Sequence, residues 1–187
     1  MTSNAIYLDH NATTPIRPEA LAAMDAAARA GGNPSSVHVG GRQARQTVDA
    51  ARAAVAAAVG SRDGTVVFTS GGSEANHLAL RGLEAASLIV SAVEHDSVLT
   101  ATKARGLPLY TLPVTRSGVV DLAALERLLA EVPKPALVAL MLANNETGAV
   151  QPVAEAAALA RRHGAKVHCV AVQAFGKIGV DMEALGA

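Results

Sequence analysis

Short apolar runs alternate along this chain with longer Ala-rich stretches. Five of the runs read as strands, at 65–68, 88–91, 108–112, 136–142 and 166–172, the first bounded by Gly64 and Gly71. The Ala-rich stretches read as helices, because Ala has the best intrinsic helix propensity. They cover 17–30, 42–59, 73–82, 97–105, 122–130 and 153–163. Pro18 suits a first helical turn, Gly60 stops the second helix, and Asp121 can cap the fifth. Residues 31–36, Gly-Gly-Asn-Pro-Ser-Ser, are loop by composition.

Strands that are apolar throughout are covered on both faces, and alternating strand and helix units give a mainly parallel sheet. The expected fold is therefore α/β, with helices on both faces of the sheet. Sheets of this kind take ligands beyond the carboxyl ends of their strands. Residues 177–187 read as a passage leading to a further strand, and the chain stops before that strand arrives. The expectation is a domain incomplete at its C-terminal end.

Composition narrows the picture. The length of 187 residues suits one domain with a real core. With two Phe, two Tyr and no Trp, that core has to be built from Ala, Val and Leu. Sixteen basic residues balance sixteen acidic ones, which gives no electrostatic reason to expect a nucleic acid or an anionic membrane as partner. A single Cys forms no internal disulfide and favours a reducing, cytoplasmic setting. Residues 1–4 do not start a signal-peptide pattern, and no apolar run approaches the roughly 20 residues that span a bilayer.

Polar clusters follow four of the predicted strands. After the first comes Thr69-Ser70-Gly71-Gly72-Ser73-Glu74-Ala75-Asn76. Two glycines let a backbone approach a ligand, and a helix start offers free N–H groups, so this segment reads as a phosphate cradle or as a plain tight turn with a Ser cap. It matches neither the P-loop nor the Gly-x-Gly-x-x-Gly pattern. Glu94-His95-Asp96-Ser97 follows the second strand, where His95 is either a ligand contact or a capping residue. Asn144-Asn145-Glu146-Thr147-Gly148 follows the fourth, where an Asn fixes a turn or presents an amide. The fifth ends at Gln173.

Together these segments resemble the cysteine desulfurases of the class V aminotransferase group, enzymes dependent on pyridoxal 5′-phosphate (PLP). Tyr7-Leu8-Asp9-His10-Asn11-Ala12-Thr13-Thr14-Pro15 is similar to the family's N-terminal signature, and Gly32-Asn33-Pro34-Ser35-Ser36-Val37-His38 to the loop that follows. The segments at 68–76, 94–95, 144–148 and 171–177 match in order and spacing. The resemblance implies the large domain of the fold-type I PLP enzymes over 1–187, without the small C-terminal domain. It implies that Gly72 and Ser73 bind the cofactor phosphate, that His95 stacks on the pyridine ring, and that Asn145 lies by the ring and the substrate carboxylate. Gln173 would bond the ring's phenolic oxygen. The family reaction converts L-cysteine to L-alanine and leaves the sulfur as an enzyme persulfide, for a sulfur-accepting or scaffold protein. The family is homodimeric.

Two departures stand out. Val170 occupies the position where the resemblance implies an Asp paired with the pyridinium nitrogen, and Val offers neither charge nor acceptor. The implied Ser-x-His-Lys motif with the Schiff-base lysine is absent, and nothing makes Lys103, Lys134, Lys166 or Lys177 its counterpart. The family's nucleophilic Cys lies further downstream, so Cys169, within an apolar strand, reads as a buried, inert thiol. No residue of this chain is assigned a catalytic or metal-binding role. The expectation is a chain inactive alone: a fragment, a degenerate copy, or half of a split protein. Val170 together with the missing portion makes the degenerate copy more attractive than either feature does alone. Another class V enzyme, such as a selenocysteine lyase or an aminotransferase, and a non-catalytic remnant are the alternatives.

Overall fold

A computed structural model describes residues 6–62 and 64–187. The chain divides into two compact units, Met1–Ala57 and Ala58–Ala187. In the first, a turn at 9–13 is closed by Tyr7, whose hydroxyl donates to the carbonyls of Asp9 (2.8 Å) and Thr13 (3.1 Å). Helix α1 (Pro18–Ala30) has Pro in its first turn, as expected. Helix α2 (Val39–Ala58) begins three residues before the expected start. His38 explains the difference, because its Nδ1 accepts the Gly41 N–H (3.3 Å) and so satisfies a donor of the first turn. Gly41 is obligatory there: a Cβ would lie 2.1 Å from the Ser36 carbonyl oxygen.

The second unit is the α/β body. Its elements are α3 (Gly72–Gly82), β1 (Ser87–Ser91), α4 (Asp96–Lys103), β2 (Leu109–Leu112), α5 (Leu122–Glu131), β3 (Ala136–Met141), α6 (Val153–Arg162), β4 (Lys166–Val170) and α7 (Met182–Leu185). The strands form one sheet in the order β2-β1-β3-β4, and every pair is parallel. β1 and β3 are buried along their whole length, which accounts for their unbroken apolar sequence. Alternate side chains serve opposite faces. Leu88, Val90, Leu137 and Ala139 pack with Leu80 of α3 and with Val98 and Ala101 of α4. Ile89, Val138 and Leu140 pack with Leu125 and Leu129 of α5 and with Val153, Ala156 and Ala160 of α6.

One expected strand is not there. Residues 65–68 join no ladder among the described residues, and Val67 and Phe68 are 67% and 52% exposed. An apolar run bounded by glycines carries strand propensity. A strand exists only where a neighbouring backbone supplies the ladder, however, and this run lies beside neither β2 nor β4 at the sheet's edges. Among the described residues, no helix is long and apolar enough to cross a membrane.

Asp121 caps α5 as its position predicts: Oδ1 accepts from the backbone N–H groups of Ala123 (2.9 Å) and Ala124 (3.0 Å). Asp121→Ala is expected to cost about 1 kcal/mol in urea melts, the usual worth of such a cap, and Asp121→Asn is expected to cost less than half as much.

Candidate functional site

Parallel pairing brings the carboxyl ends of β1, β3 and β4 to one end of the sheet, and His95, Asn145 and Gln173 follow from there, whereas Gly72 and Ser73 precede β1. Gly72 and Ser73 open α3. The expected Ser cap is replaced by a different device. Gly71 is the N-cap, and Glu74 at the third helical position reaches back with Oε2 to the N–H and hydroxyl of Ser70, both at 2.6 Å. Those bonds hold the Glu74 carboxyl below its ordinary range. The Ser73 carbonyl lies 2.9 Å from Nδ1 of His77, one turn on. Apart from its chain neighbours and the helix's own backbone, a Cβ added to Gly71 or Gly72 would meet no atom of the described residues within 4 Å, and neither residue has a backbone conformation closed to other amino acids. Nothing among the described residues therefore requires glycine at these two positions.

His95 is the N-cap of α4, and its exposed ring is held in place. Nδ1 accepts the Ser97 N–H at 3.1 Å and lies 2.9 Å from the Ser97 hydroxyl. That hydroxyl is 2.9 Å from Nδ2 of Asn76, one turn into α3, and Asn76 Oδ1 is 3.0 Å from Nε2 of His168 on β4. His95, α3 and β4 are thus tied by side chains across three elements. Burial lowers the pKa of His168.

The Asn pair divides its work. Asn144 is the turn residue: buried, its Oδ1 accepts from the N–H groups of Glu146 and Thr147 and from the Thr147 hydroxyl, while its Nδ2 donates to the Val93 carbonyl beyond β1. Asn145, half-buried, donates from Nδ2 to Glu146 Oε1 at 2.6 Å. Gln173 follows β4, and its Oε1 accepts from Lys177 Nζ one turn on. The structure thus ties His95 to α3, the helix that Gly72 and Ser73 open, through one hydrogen-bonded junction. Asn145 and Gln173 follow β3 and β4 at the same end of the sheet.

Val170 is half-buried and packs on the side of the sheet that carries α3 and α4, the side to which His168 also points. Cys169 faces the other way, into the α5–α6 layer. Cys169 is half-buried rather than fully buried as its place in an apolar strand predicts, because β4 is an edge strand. Its partial burial, helped by the Glu94 charge, still pushes the thiol up to about 12, so it is protonated at neutral pH and a poor nucleophile.

Three residues with consequences here do not stand out along the sequence. Asn76 and His168 form the junction just described. Asn76 closes the segment 69–76, four residues after Gly72, and His168 stands two residues before Val170, on the same strand face, but neither position along the chain points to the other. The third is Glu94, 7% exposed, whose Oε1 accepts the Met141 N–H at 2.6 Å. Its Oε2 is buried and meets no hydrogen-bond donor among the described residues. Burial outweighs the Met141 bond and pushes this carboxyl up to about 7.

The model of the aminotransferase class-V family matches residues 6–187. The chain belongs to that family. Class-V relatives include an IscS-like cysteine desulfurase from Mycobacterium tuberculosis, 38% identical over 193 residues, an alignment covering 96% of this chain and 49% of that protein. A selenocysteine lyase from Xenopus tropicalis is 38% identical over 215 residues, with 97% and 49% covered. Among solved structures, a NifS-like protein from Rickettsia africae superposes with a TM-score of 0.90 at 36% identity, over 97% of this chain and 51% of that one. The fold is thus the fold-type I architecture expected from the motifs. The chain spans about half the length of the curated relatives it matches.

Proposed function

We propose that this chain is the cofactor-facing half of a PLP-dependent cysteine desulfurase, that it binds PLP without a covalent bond, and that alone it does not turn over cysteine. One observation carries the proposal. Gly71 and Gly72 open α3 with no need for glycine among the described residues, which is accounted for if a group from outside comes against that backbone.

The fit to PLP is good at two points and poor at a third. The start of α3 offers backbone N–H groups and space for a phosphate, with Ser73 as a hydroxyl donor. His95 offers an exposed flat ring whose orientation is fixed from behind by Ser97. At the ring nitrogen, Val170 supplies no acceptor. When bound, PLP supplies an electron sink for the substrate's α-carbon; Val170 leaves this chain without the carboxylate that would sustain it. The chain's own residues then do the following. The α3 start and Ser73 hold an anion, His95 orients a flat ring, Asn145 and Gln173 offer amides at the rim, and Cys169 stays protonated. No lysine here is assigned a covalent role, and Lys177 is engaged with Gln173.

Cysteine as substrate, a sulfur-accepting protein as partner, a homodimeric whole and a cytoplasmic setting belong to the same reading, as does an incomplete large domain over 1–187. They rest on the resemblance. Titrating PLP into the purified chain is expected to give saturable binding that borohydride does not make permanent, with no alanine or sulfide formed from cysteine above the level of free PLP. Turnover above that level would overturn the proposed inactivity, and an absence of saturable binding would overturn the cofactor reading in favour of a non-catalytic remnant.

A further inference from the structure

The junction behind His95 has a direction, set by one group that can only donate. The Ser97 backbone N–H donates to His95 Nδ1 (3.1 Å), so Nδ1 carries no proton and the ring's N–H is on Nε2. The Ser97 hydroxyl lies 2.9 Å from that same bare nitrogen, which has no proton to give it, so the contact is a hydrogen bond only with the hydroxyl as donor, sharing the one lone pair with the backbone N–H. It can then only accept from Asn76, which fixes the Asn76 amide with its NH2 group toward Ser97 (2.9 Å) and its oxygen toward His168. That oxygen, 3.0 Å from His168 Nε2, requires a donor, so His168 also carries its proton on Nε2. With His95 Nδ1 accepting in two of the contacts, no other assignment gives all four a donor and an acceptor.

We infer that His168, Asn76 and Ser97 form a one-way hydrogen-bonded strap, running from β4 through α3 to α4, that holds His95 in the Nε2–H tautomer. They are positioning residues for the His95 ring. Asn76 is 5% exposed and so has little water to turn to. A buried amide with both ends engaged resists rotation, because turning it leaves two polar contacts mismatched. The meaning of the strap for cofactor binding rests on the proposal that His95 meets the ring. The tautomers themselves do not, and they are measurable on the chain without PLP.

The test is a long-range proton–nitrogen NMR spectrum of the six histidines, with His95 and His168 assigned by their Gln variants. Both are expected as Nε2–H tautomers at pH 8; an Nδ1–H tautomer at either overturns the strap. Asn76→Asp keeps the volume but removes the donor, so the new carboxylate takes the Ser97 hydroxyl proton away from His95. The His95 Nδ1 signal is then expected to move toward that of a less strongly bonded nitrogen, although residue 76 does not touch His95. Ser97→Ala is expected to do the same, and Ser97→Thr to restore the original signal. If His95 is unmoved in Asn76→Asp and Ser97→Ala while the backbone spectrum shows the folded chain, the strap does not hold the ring. PLP affinity is the separate readout: about three- to tenfold weaker binding in Ser97→Ala, with recovery in Ser97→Thr, is expected for the loss of one bond to a positioned group. Unchanged tautomers in a chain that fails to bind PLP would uphold the strap and overturn the cofactor reading; altered tautomers with undiminished PLP binding would overturn the positioning role.

Discussion

Replacing Glu94 by glutamine is expected to stabilise the chain by about 1–2 kcal/mol at pH 8 and to change its stability little at pH 5. Burial raises the Glu94 carboxyl from 4.5 to about 7. Between those values the folded state binds more protons than the unfolded one, so stability falls as pH rises through this window. That rise sets the full cost of ionising Glu94 in place at about 3 kcal/mol. Glutamine escapes that cost and keeps an oxygen for the Met141 N–H. Its NH2 group, lying where Oε2 now meets no donor, gives back about 1 kcal/mol. His168, whose pKa is lowered, contributes in the opposite sense: its share of stability is lost as pH falls below its unfolded value. That share is common to both proteins and cancels in the difference. Urea melts of the two at pH 5, 6, 7 and 8 are the measurement. An equal gain at pH 5 and pH 8 would mean that packing, not ionisation, explains it.

Val170→Asp is expected to act in opposite directions with and without PLP. Without it, a carboxylate replaces a methyl pair packed against the apolar cluster that holds Leu80, Val98 and Ala139, and the expected loss is about 2–4 kcal/mol. With it, the carboxylate gains a cationic ring nitrogen as partner. PLP affinity is then expected to rise at least about tenfold, which is 1.4 kcal/mol, and the melting temperature to recover on adding PLP. Val170→Asn separates charge from polarity: it is expected to lose stability without gaining affinity. If the parent chain and the Val170→Asp variant bind PLP equally well, the missing carboxylate is not what limits this site.

Much of this is legible along the chain. The helices start and stop near their expected residues, because Ala-rich stretches, Pro18, Asp121 and the glycines act locally. The motifs at the strand ends indicate the family because they are contiguous. The strand expected at 65–68 fails to form for the complementary reason: local propensity describes what a segment tolerates, and a ladder needs a neighbour. No Ser caps α3, because the choice between a Ser cap and the Gly71–Glu74 arrangement depends on side-chain reach.

By itself, then, the sequence determined the fold class, the family, the absence of an acceptor at position 170 and the inert character of Cys169, all properties of residue identity and near-neighbour pattern. Only the tertiary structure decided that Asn76, Ser97, His95 and His168 form one directed junction, and that Glu94 is buried with one oxygen unmatched. Asn76 and His168 are ninety-two positions apart, and the Glu94–Met141 bond joins residues forty-seven apart. Hydrogen bonds are short and directional, so they cannot be read from a pattern along the chain. They exist only where parallel strands and the helices laid on them bring distant residues to within about 3 Å.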